Sequence, residues 1–269
     1  MRIFPTAFAI VFTVLLPTTA AAEPLQVAPF VADVSPPVGS PLAYDPTREV
    51  ETPLTARGVV ILGSGKPIVL CSVDWIGIAN GGRTAWRTEL AEATKTSIDR
   101  VALHTVHQHD APECDFTTET LLEEQGLGGK QYDVPFTRRA IGRVVEAIQN
   151  AMKKPATVTH IGVGRGEVKK VASNRRVIGE DGKIKYWRGS TTGNPDARAE
   201  PEGLIDPDVR SISFFAGEKP VAVLCYYATH PMSYYRTGKA NADFVGLARD
   251  AREKELGVPH IYFTGAAGN

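Results

Sequence analysis

Hydrophobic residues cluster in short, β-branched runs, and longer segments with apolar residues at three- and four-residue steps lie between several of them. A short run of this kind predicts a strand, and the longer period predicts an amphipathic helix. The runs predict strands over residues 56–62, 68–73, 100–106, 157–163, 210–215, 221–229 and 260–263. Their alternation with helical segments predicts an α/β fold of mixed sheets flanked by helices, with an active site at the carboxyl ends of strands.

The strongest helical period covers residues 135–152, where one apolar face is formed by Phe136, Ala140, Val144 and Ile148. Further helices are predicted over residues 83–94 and 244–256. Residues 175–208 are polar and rich in Gly, Pro, Asp and Arg, so we interpret them as a long surface excursion, a kind of loop that is often functional. No linker divides the chain, which predicts one large domain over residues 23–269.

Composition and charge exclude two classes of protein. Hydrophobic residues make up 43% of the chain, enough for a sizeable core, so disorder is not expected. Lys and Arg number 30 and Asp and Glu number 30, giving a formal charge of zero. A protein that binds nucleic acid through a basic face is therefore not expected.

The first 22 residues have the pattern of a secretory signal peptide. Arg2 precedes an apolar stretch, which ends in three alanines before Glu23. The alternative, a membrane anchor, needs about 20 apolar residues, and Pro5 and Pro17 interrupt this shorter run. Removing the segment with its one Arg leaves 29 basic against 30 acidic residues, a formal charge of −1. We expect an exported protein, periplasmic or extracellular.

The cysteines do not predict a disulfide framework, because there are three of them and they lie far apart in the chain. Cys71 and Cys225 lie in apolar runs and are predicted to be buried, inert thiols. Cys114 lies close to a histidine-rich segment. A metal ligand, a nucleophile and a plain thiol are all open interpretations of Cys114.

Several predicted strands end in polar or small residues: Asp74, the pair His107 and His109, His230, and the turn at residues 265–268. Ligand sites of α/β sheets gather outside the carboxyl ends of strands. A shared site is therefore predicted. An extended chain would point His107 and His109 to one side and His104 away. Two neutral imidazoles on one face suit a divalent metal, most often zinc, although hydrogen-bonded loop histidines are the alternative.

Two further residues near this site have open roles. His230 precedes a proline, which keeps it extended at the end of its strand, where it either joins the site or caps the strand. Asp243 precedes the predicted helix 244–256, so it serves as an N-cap or as a site residue. The turn at residues 265–268 either presents backbone N–H groups to an anion or is simply a tight turn.

Four blocks in this order resemble the N-terminal catalytic domain of the neutral, non-lysosomal ceramidases. The segment 32–39, Ala-Asp-Val-Ser-Pro-Pro-Val-Gly, is similar to that family's opening block, and 107–112, His-Gln-His-Asp-Ala-Pro, is similar to its His-Thr-His-Ser-Gly-Pro. Asn174-Arg175 resembles its Asn-Arg-Ser loop. The last block combines His230-Pro231 with residues 241–246 and 263–269.

The resemblance implies that His107 and His230 bind Zn²⁺. His109 would either contact these ligands without binding the metal or act as an acid–base residue. Arg175 would contact the substrate's polar head or a developing oxyanion. Family members complete the zinc site with a Glu and a Tyr further along the chain. We therefore expect a truncated sequence that binds zinc weakly and is inactive as this fragment.

The sequence departs from the family pattern at several positions, and these departures bear on which substrate the protein would cleave. Gln108, Asp110 and Ala111 replace Thr, Ser and Gly of the histidine block, and Arg176 replaces the Ser after Asn-Arg. Asp110 is in a position to orient His107 or His109 through a ring N–H.

These observations lead to an expected function: a zinc-dependent hydrolase of an N-acyl bond in a ceramide-like lipid, with contact to a membrane surface. One alternative is a zinc hydrolase of another amide or ester. A non-catalytic binding protein on the same fold and a cysteine-nucleophile enzyme using Cys114 are the others.

Overall fold

A computed structural model of the chain describes residues 22–268. Its strands are β1 (Gln26–Asp33), β2 (Glu49–Val50), β3 (Thr55–Leu62), β4 (Ile68–Val73), β5 (Gly77–Ile78), β6 (Val101–Thr105), β7 (Glu113–Cys114), β8 (Ala156–Thr157), β9 (His160–Glu167), β10 (Arg176–Ile178), β11 (Ile184–Trp187), β12 (Asp208–Ala216), β13 (Lys219–Tyr227), β14 (Lys239–Ala240) and β15 (His260–Thr264). Its helices are α1 (Asn80–Ala93), α2 (Phe116–Glu124), α3 (Val134–Ala151), α4 (Pro195–Ala199) and α5 (Asp243–Leu256), with a 3₁₀ turn at Ile98–Arg100. All of the expected signal peptide except Ala22 lies outside the described residues.

The strands form two main sheets. The first has the order β6-β4-β3-β1-β8, in which β4 and β6 are parallel and the other neighbours are antiparallel. The second has the order β15-β13-β12-β9, in which only β13 and β15 are parallel. β2 pairs with β14, β5 with β7, and β10 with β11. These mixed sheets and the helices beside them confirm the predicted α/β class.

Alternating side chains define the layers between the elements. In β15, Ile261 and Phe263 pack in the cluster that joins the two sheets, whereas Tyr262 packs with Val245 of α5. Helices α1 and α3 cover the other face of the first sheet, where their residues share a core with β1, β3 and β4. Burying each large apolar side chain contributes about 1.5–3 kcal/mol. The result is a stack of helices, sheet, sheet and helix.

One predicted strand is in fact two. The apolar run predicts a single strand over residues 157–163, but β8 belongs to the first sheet and β9 to the second. Between them, the N–H of Val158 donates to the carbonyl of Leu25, and that of Thr159 donates to the carbonyl of Phe215. The chain therefore crosses from one sheet to the other within the apolar run.

Strand β1 was not predicted, because Pro29 interrupts its pattern. Pro29 pairs with Val59 of β3 on one side, while β8 pairs only with Gln26 and Val27 on the other. A proline is tolerated in a sheet where its missing N–H has no strand partner. The short extent of β8 thus explains how a proline fits in the middle of this sheet.

The surface excursion at residues 175–208 contains regular structure that the polar composition did not predict. β10 and β11 pair as an antiparallel hairpin, and α4 follows it. The side chain of Asn194 caps α4 by accepting from the N–H of Asp196. Within residues 22–268, no helix is long and apolar enough to cross a membrane.

Candidate active site

The candidate site lies at a seam between the two sheets. β6 of the first sheet leads into His107, and β13 of the second leads into His230. Thr264, at the end of β15, joins the sheets here: its hydroxyl donates to the carbonyl of Val106 at 2.7 Å, and its N–H donates to Nε2 of His104 at 2.9 Å. These bonds bring strand ends that are distant in sequence to one place.

Three histidines converge at this seam. The ring centroids of His107 and His109 are 5.3 Å apart, those of His107 and His230 are 5.0 Å apart, and those of His109 and His230 are 4.9 Å apart. One ring nitrogen from each lies within 4.8 Å of the other two. His104 points away, as predicted, and its ring accepts the bond from Thr264.

Backbone carbonyls orient two of the imidazoles. Nδ1 of His107 lies 2.6 Å from the carbonyl oxygen of Ile76, and Nδ1 of His230 lies 3.2 Å from that of Ala267. A carbonyl oxygen only accepts, so each Nδ1 carries the proton and each Nε2 presents a lone pair. Such a partner on the other ring nitrogen is the usual arrangement for histidines that ligate a metal.

His109 is held by a side chain instead. Its Nδ1 lies 2.9 Å from the hydroxyl of Tyr44, and its Nε2 lies 2.7 Å from Nε2 of His230. Because His230 presents a lone pair there, the Nε2–H of His109 donates to it, and the hydroxyl of Tyr44 donates to Nδ1 of His109. Two consecutive hydrogen bonds therefore run from Tyr44 to His230.

His109 and His230 are held neutral by a lowered pKa. Burial lowers the pKa of His109 to about 4, with further contributions from the neighbouring His230 and His107. Burial also lowers the pKa of His230. Neutral imidazole is the form that binds metals. Three imidazoles whose ring nitrogens lie this close together could hold a metal ion.

The backbone at His107 is not extended. Its φ of 73° is in the left-handed region, which is strained for a residue with a Cβ. Its N–H donates to the carbonyl of Trp75 at 3.0 Å. The two rings do lie close together, as expected, but the expected cause is wrong. A turn at His107, and not an extended strand, brings the rings of His107 and His109 together.

A cavity of about 450 Å³ lies beside His230, and its wall includes Arg175, Arg188, Leu204 and Ala267. The Nη2 of Arg175 donates to the carbonyl of Gly268 at 2.9 Å, and its guanidinium lies 5.5 Å from the ring centroid of Trp187. The buried Nε of Arg175 has no hydrogen-bond partner among the described residues. Arg175 is thus at the cavity, with one donor unused.

Arg188 holds the wall of this cavity in shape. Its guanidinium donates to the carbonyls of Asn174 (3.1 Å), Ala197 (3.1 Å), Glu200 (2.7 Å) and Pro201 (2.8 Å). These bonds tie the segment around α4 to the loop that carries Arg175. Nothing in the local sequence distinguished Arg188 from the other arginines of residues 175–208.

Asp74 does not join the site, contrary to the predicted convergence of strand ends. Its carboxylate is buried and forms a two-pronged ion pair with Arg249 of α5, at 2.8 and 3.0 Å. It also accepts from the N–H and hydroxyl of Thr55. All of these bonds lie within the fold, so Asp74 has a structural role.

Asp243 is the first residue of α5, and Ala242 occupies the N-cap position. The carboxylate of Asp243 accepts from the N–H groups of Ser233 and Tyr234, at 2.9 and 3.2 Å. It therefore anchors the loop after His230, and its other oxygen accepts from the N–H of Phe244 in the first turn of α5, at 2.6 Å, which is close to the capping role that the sequence left open.

Asp110 does not orient a histidine. Its carboxylate accepts from the N–H and the hydroxyl of Thr237, the latter at 2.6 Å. The orienting groups are instead the Tyr44 hydroxyl and the carbonyls of Ile76 and Ala267. Sequence reasoning missed them, because a backbone carbonyl carries no residue signature and Tyr44 lies in a loop without a recognisable motif.

The glycine-rich turn contributes carbonyls rather than N–H groups. The carbonyl of Ala267 accepts from His230, and that of Gly268 accepts from Arg175. The N–H of Gly265 is used by the carbonyl of Tyr227. Anion binding through the other N–H groups of this turn stays a prediction.

The cysteines are free thiols. Burial raises the pKa of Cys71 and of Cys114 to about 12 and that of Cys225 to about 11. Cys114 packs against Gly82 of α1 and is not part of the histidine cluster. A protonated, buried thiol is a poor nucleophile, so Cys114 is a packing residue.

Comparison with known proteins gives a fold relationship. No protein-family model and no curated protein matches the sequence. Two solved structures match the fold: a ceramidase complexed with C2 (TM-score 0.67, 17% identity) and the neutral ceramidase from Pseudomonas aeruginosa (TM-score 0.65, 18% identity). Each match covers 92% of this chain. The chain spans 38% and 39% of the length of those proteins. The fold is therefore similar to that of ceramidases.

Proposed function

We propose that the protein is an exported, zinc-dependent hydrolase of an N-acyl amide bond, with a ceramide-like lipid as its substrate. The observation that carries the proposal is the convergence of three imidazoles, each tied at Nδ1, beside a cavity lined by Arg175. The ceramidase-like fold supports the choice of reaction. Imidazole donors of this kind favour zinc over magnesium or calcium, which prefer oxygen ligands.

In this proposal His107 and His230 would hold the metal through Nε2, and the metal would replace the hydrogen bond that His109 donates to Nε2 of His230. A zinc ion there would polarise the amide carbonyl and lower the pKa of water, so that hydrolysis proceeds near neutral pH. The carbonyls of Ile76 and Ala267 fix the tautomers that this binding needs. The Nδ1 partners therefore act by positioning the metal ligands.

His109 carries the proton in this proposal. Its 2.7 Å contact to His230 is a hydrogen-bond distance, which supports a proton-carrying role beside the ligands. From this position His109 accepts a proton from the attacking water and passes it to the leaving amine, a step worth roughly 10²- to 10⁴-fold in rate. Arg175, which lines the cavity beside His230, binds the oxyanion or the substrate's polar head.

The test measures zinc content and amide hydrolysis in the same purified variants of the full-length protein, because the resemblance to ceramidases implies a Glu and a Tyr ligand further along the chain. His107→Ala and His230→Ala should lose both, whereas His109→Ala should keep zinc and lose hydrolysis. His160→Ala is the matched control, because His160 is an exposed histidine on β9. Unchanged zinc and hydrolysis in the first two variants would overturn the proposal. Loss of zinc in His109→Ala would make His109 a third ligand instead.

The second candidate is a zinc hydrolase of another amide or ester. The cavity wall favours it in one respect, since Arg188, Asp206 and Asn174 give part of it a polar character. Hydrolysis rates for an N-acylsphingosine, short N-acyl amides and short esters separate the two candidates. A strong preference for the short substrates would favour the second.

A further inference from the structure

The β10–β11 hairpin presents an apolar face to solvent. Ile178, Ile184 and Trp187 are 56%, 50% and 61% exposed. The pairing of Ile178 with Ile184, and the register shift beside it, place these side chains on one face, while Val177 and Tyr186 face the opposite, half-buried side. Large apolar side chains clustered in solvent mark a contact surface.

The hairpin adjoins the proposed active site. Trp187 contacts the guanidinium of Arg175, and Arg188, the next residue, lines the cavity beside His230. Two residues of the cavity wall are themselves exposed and apolar: Val171 is 52% exposed and Leu204 is 90% exposed. The exposed apolar residues therefore surround the cavity by which a substrate would enter.

The charge of this region complements an anionic lipid surface. Residues 169–188 contain seven Lys or Arg and two Asp or Glu, a formal charge of 7 − 2 = +5, in a chain whose total is zero. Lys185 pairs with Glu200 and Lys169 pairs with Glu167, two acidic residues outside this range, so the group with its partners has a formal charge of 5 − 2 = +3. A tryptophan with aliphatic neighbours and lysines beside it is the composition of an interfacial membrane contact.

We propose that this hairpin docks the protein on a lipid bilayer, with Ile178, Ile184 and Trp187 inserted among the headgroups and the cavity opening toward the lipid. The proposal rests on the proposed function, because a lipid substrate is taken up from a bilayer. Lys183 and Lys185 strengthen the contact with anionic lipid, each by about fivefold in partitioning.

Tryptophan fluorescence tests the contact directly. The chain has three tryptophans, and Trp75 and Trp86 are fully buried, so a change on adding vesicles reports on Trp187. Phosphatidylcholine vesicles containing phosphatidylglycerol should shift the emission to shorter wavelength, and brominated lipid should quench it. Pure phosphatidylcholine should give a weaker response. No shift, no quenching and no co-sedimentation with either vesicle would overturn the proposal.

Variants locate the contact on the hairpin. Ile178→Ser with Ile184→Ser should lower vesicle partitioning roughly tenfold or more, since it removes two inserted side chains. The matched control is Ile161→Ser with Val163→Ser on β9, which are also exposed and should bind like the wild type. Equal partitioning of the hairpin variant and the wild type, or equal loss in both variants, contradicts the proposal.

Two further measurements distinguish a membrane contact from a dimer contact and from a role in catalysis. Dimerisation without lipid that Ile178→Ser and Ile184→Ser abolish would assign the hairpin to a second copy of the chain and overturn the membrane assignment. The hairpin variant should hydrolyse a water-soluble N-acyl amide at the wild-type rate. Hydrolysis of that substrate by a wild-type protein that does not bind vesicles would leave the proposed function standing and reject the membrane contact.

Discussion

Two groups of polar side chains lie at strand ends in this molecule, and they differ in what their hydrogen-bonding atoms face. The carboxylate of Asp74 is saturated by Arg249 and Thr55. The three histidines use Nδ1 for neighbouring groups and direct ring nitrogens toward one another, and the cluster that they form among the described residues consists of imidazoles alone. A polar residue after a strand therefore indicates a functional site only when its free polar atoms point toward those of other residues. A residue whose polar atoms are all bonded within the fold, such as Asp74, has a structural role.

The largest expected effect is on stability, at the ion pair. Asp74→Ala leaves the charge of Arg249 buried without its partner, which should lower the free energy of unfolding by about 3–5 kcal/mol. His107→Ala, at an exposed histidine, should change it by less than about 1 kcal/mol. Urea unfolding measures both.

The double variant Asp74→Leu with Arg249→Met is the control, because it removes both charges. It should recover much of the lost stability. If His107→Ala lowered the free energy of unfolding as much as Asp74→Ala does, His107 would be as important for stability as Asp74, which contradicts the comparison.

A pH effect on stability is expected at His104, as at the buried site histidine His109. Burial lowers the native pKa of His104 to about 4, from 6.5 in the unfolded chain. Between these two pKa values, His104 is protonated in the unfolded state and neutral in the native state. Its contribution to the free energy of unfolding is therefore complete above pH 6.5 and is lost as pH falls toward 4. The free energy of unfolding should be about 2 kcal/mol lower at pH 5 for this reason.

Urea unfolding of the wild type and His104→Gln at about pH 7.5 and about pH 5 tests this effect, since glutamine cannot titrate. The wild type should lose about 2 kcal/mol more than the variant between the two pH values. Equal losses would place the pH sensitivity elsewhere in the protein.

A smaller effect is expected at the hydroxyl that orients His109. Tyr44→Phe removes the bond to Nδ1 and should lower hydrolysis about 10- to 100-fold, with zinc content unchanged. Tyr235→Phe is the matched control, since its ring contacts both Tyr44 and His109 without such a bond. Similar rates for the two variants would show that ring packing alone positions His109.

The smallest effect is expected at Cys114. Its buried, protonated thiol should leave hydrolysis unchanged after treatment with a thiol-alkylating reagent, whereas a zinc chelator should abolish it. Inactivation by alkylation with activity resistant to chelation would instead favour a cysteine nucleophile.

Local pattern predicted much of the fold. β4 begins and ends where its apolar run does, and α3 lies within one residue of the predicted helix 135–152. The pattern failed where a strand depends on its neighbours. β1 contains Pro29, which only the short extent of β8 explains, and the run 157–163 divides between two sheets.

The candidate site was likewise predicted only in part. The sequence alone singled out His107, His109, His230 and Arg175, because histidines after apolar runs and the order of the blocks are visible in the chain. It also singled out Asp74 and Asp110, which the structure assigns to Arg249 and Thr237. Asp74 and the three histidines gave the same kind of signal, a polar residue after a predicted strand, whereas Arg175 was singled out only by the resemblance.

The sequence by itself determined many of the strands and helices, since hydrophobic periodicity is a local property, and it determined where imidazoles were available. Only the tertiary structure decided which of them meet. That depends on β6 and β15 of different sheets lying side by side, joined through Thr264, and on backbone carbonyls that select each ring's tautomer. Contacts between residues more than a hundred positions apart are set by packing, which no local pattern encodes.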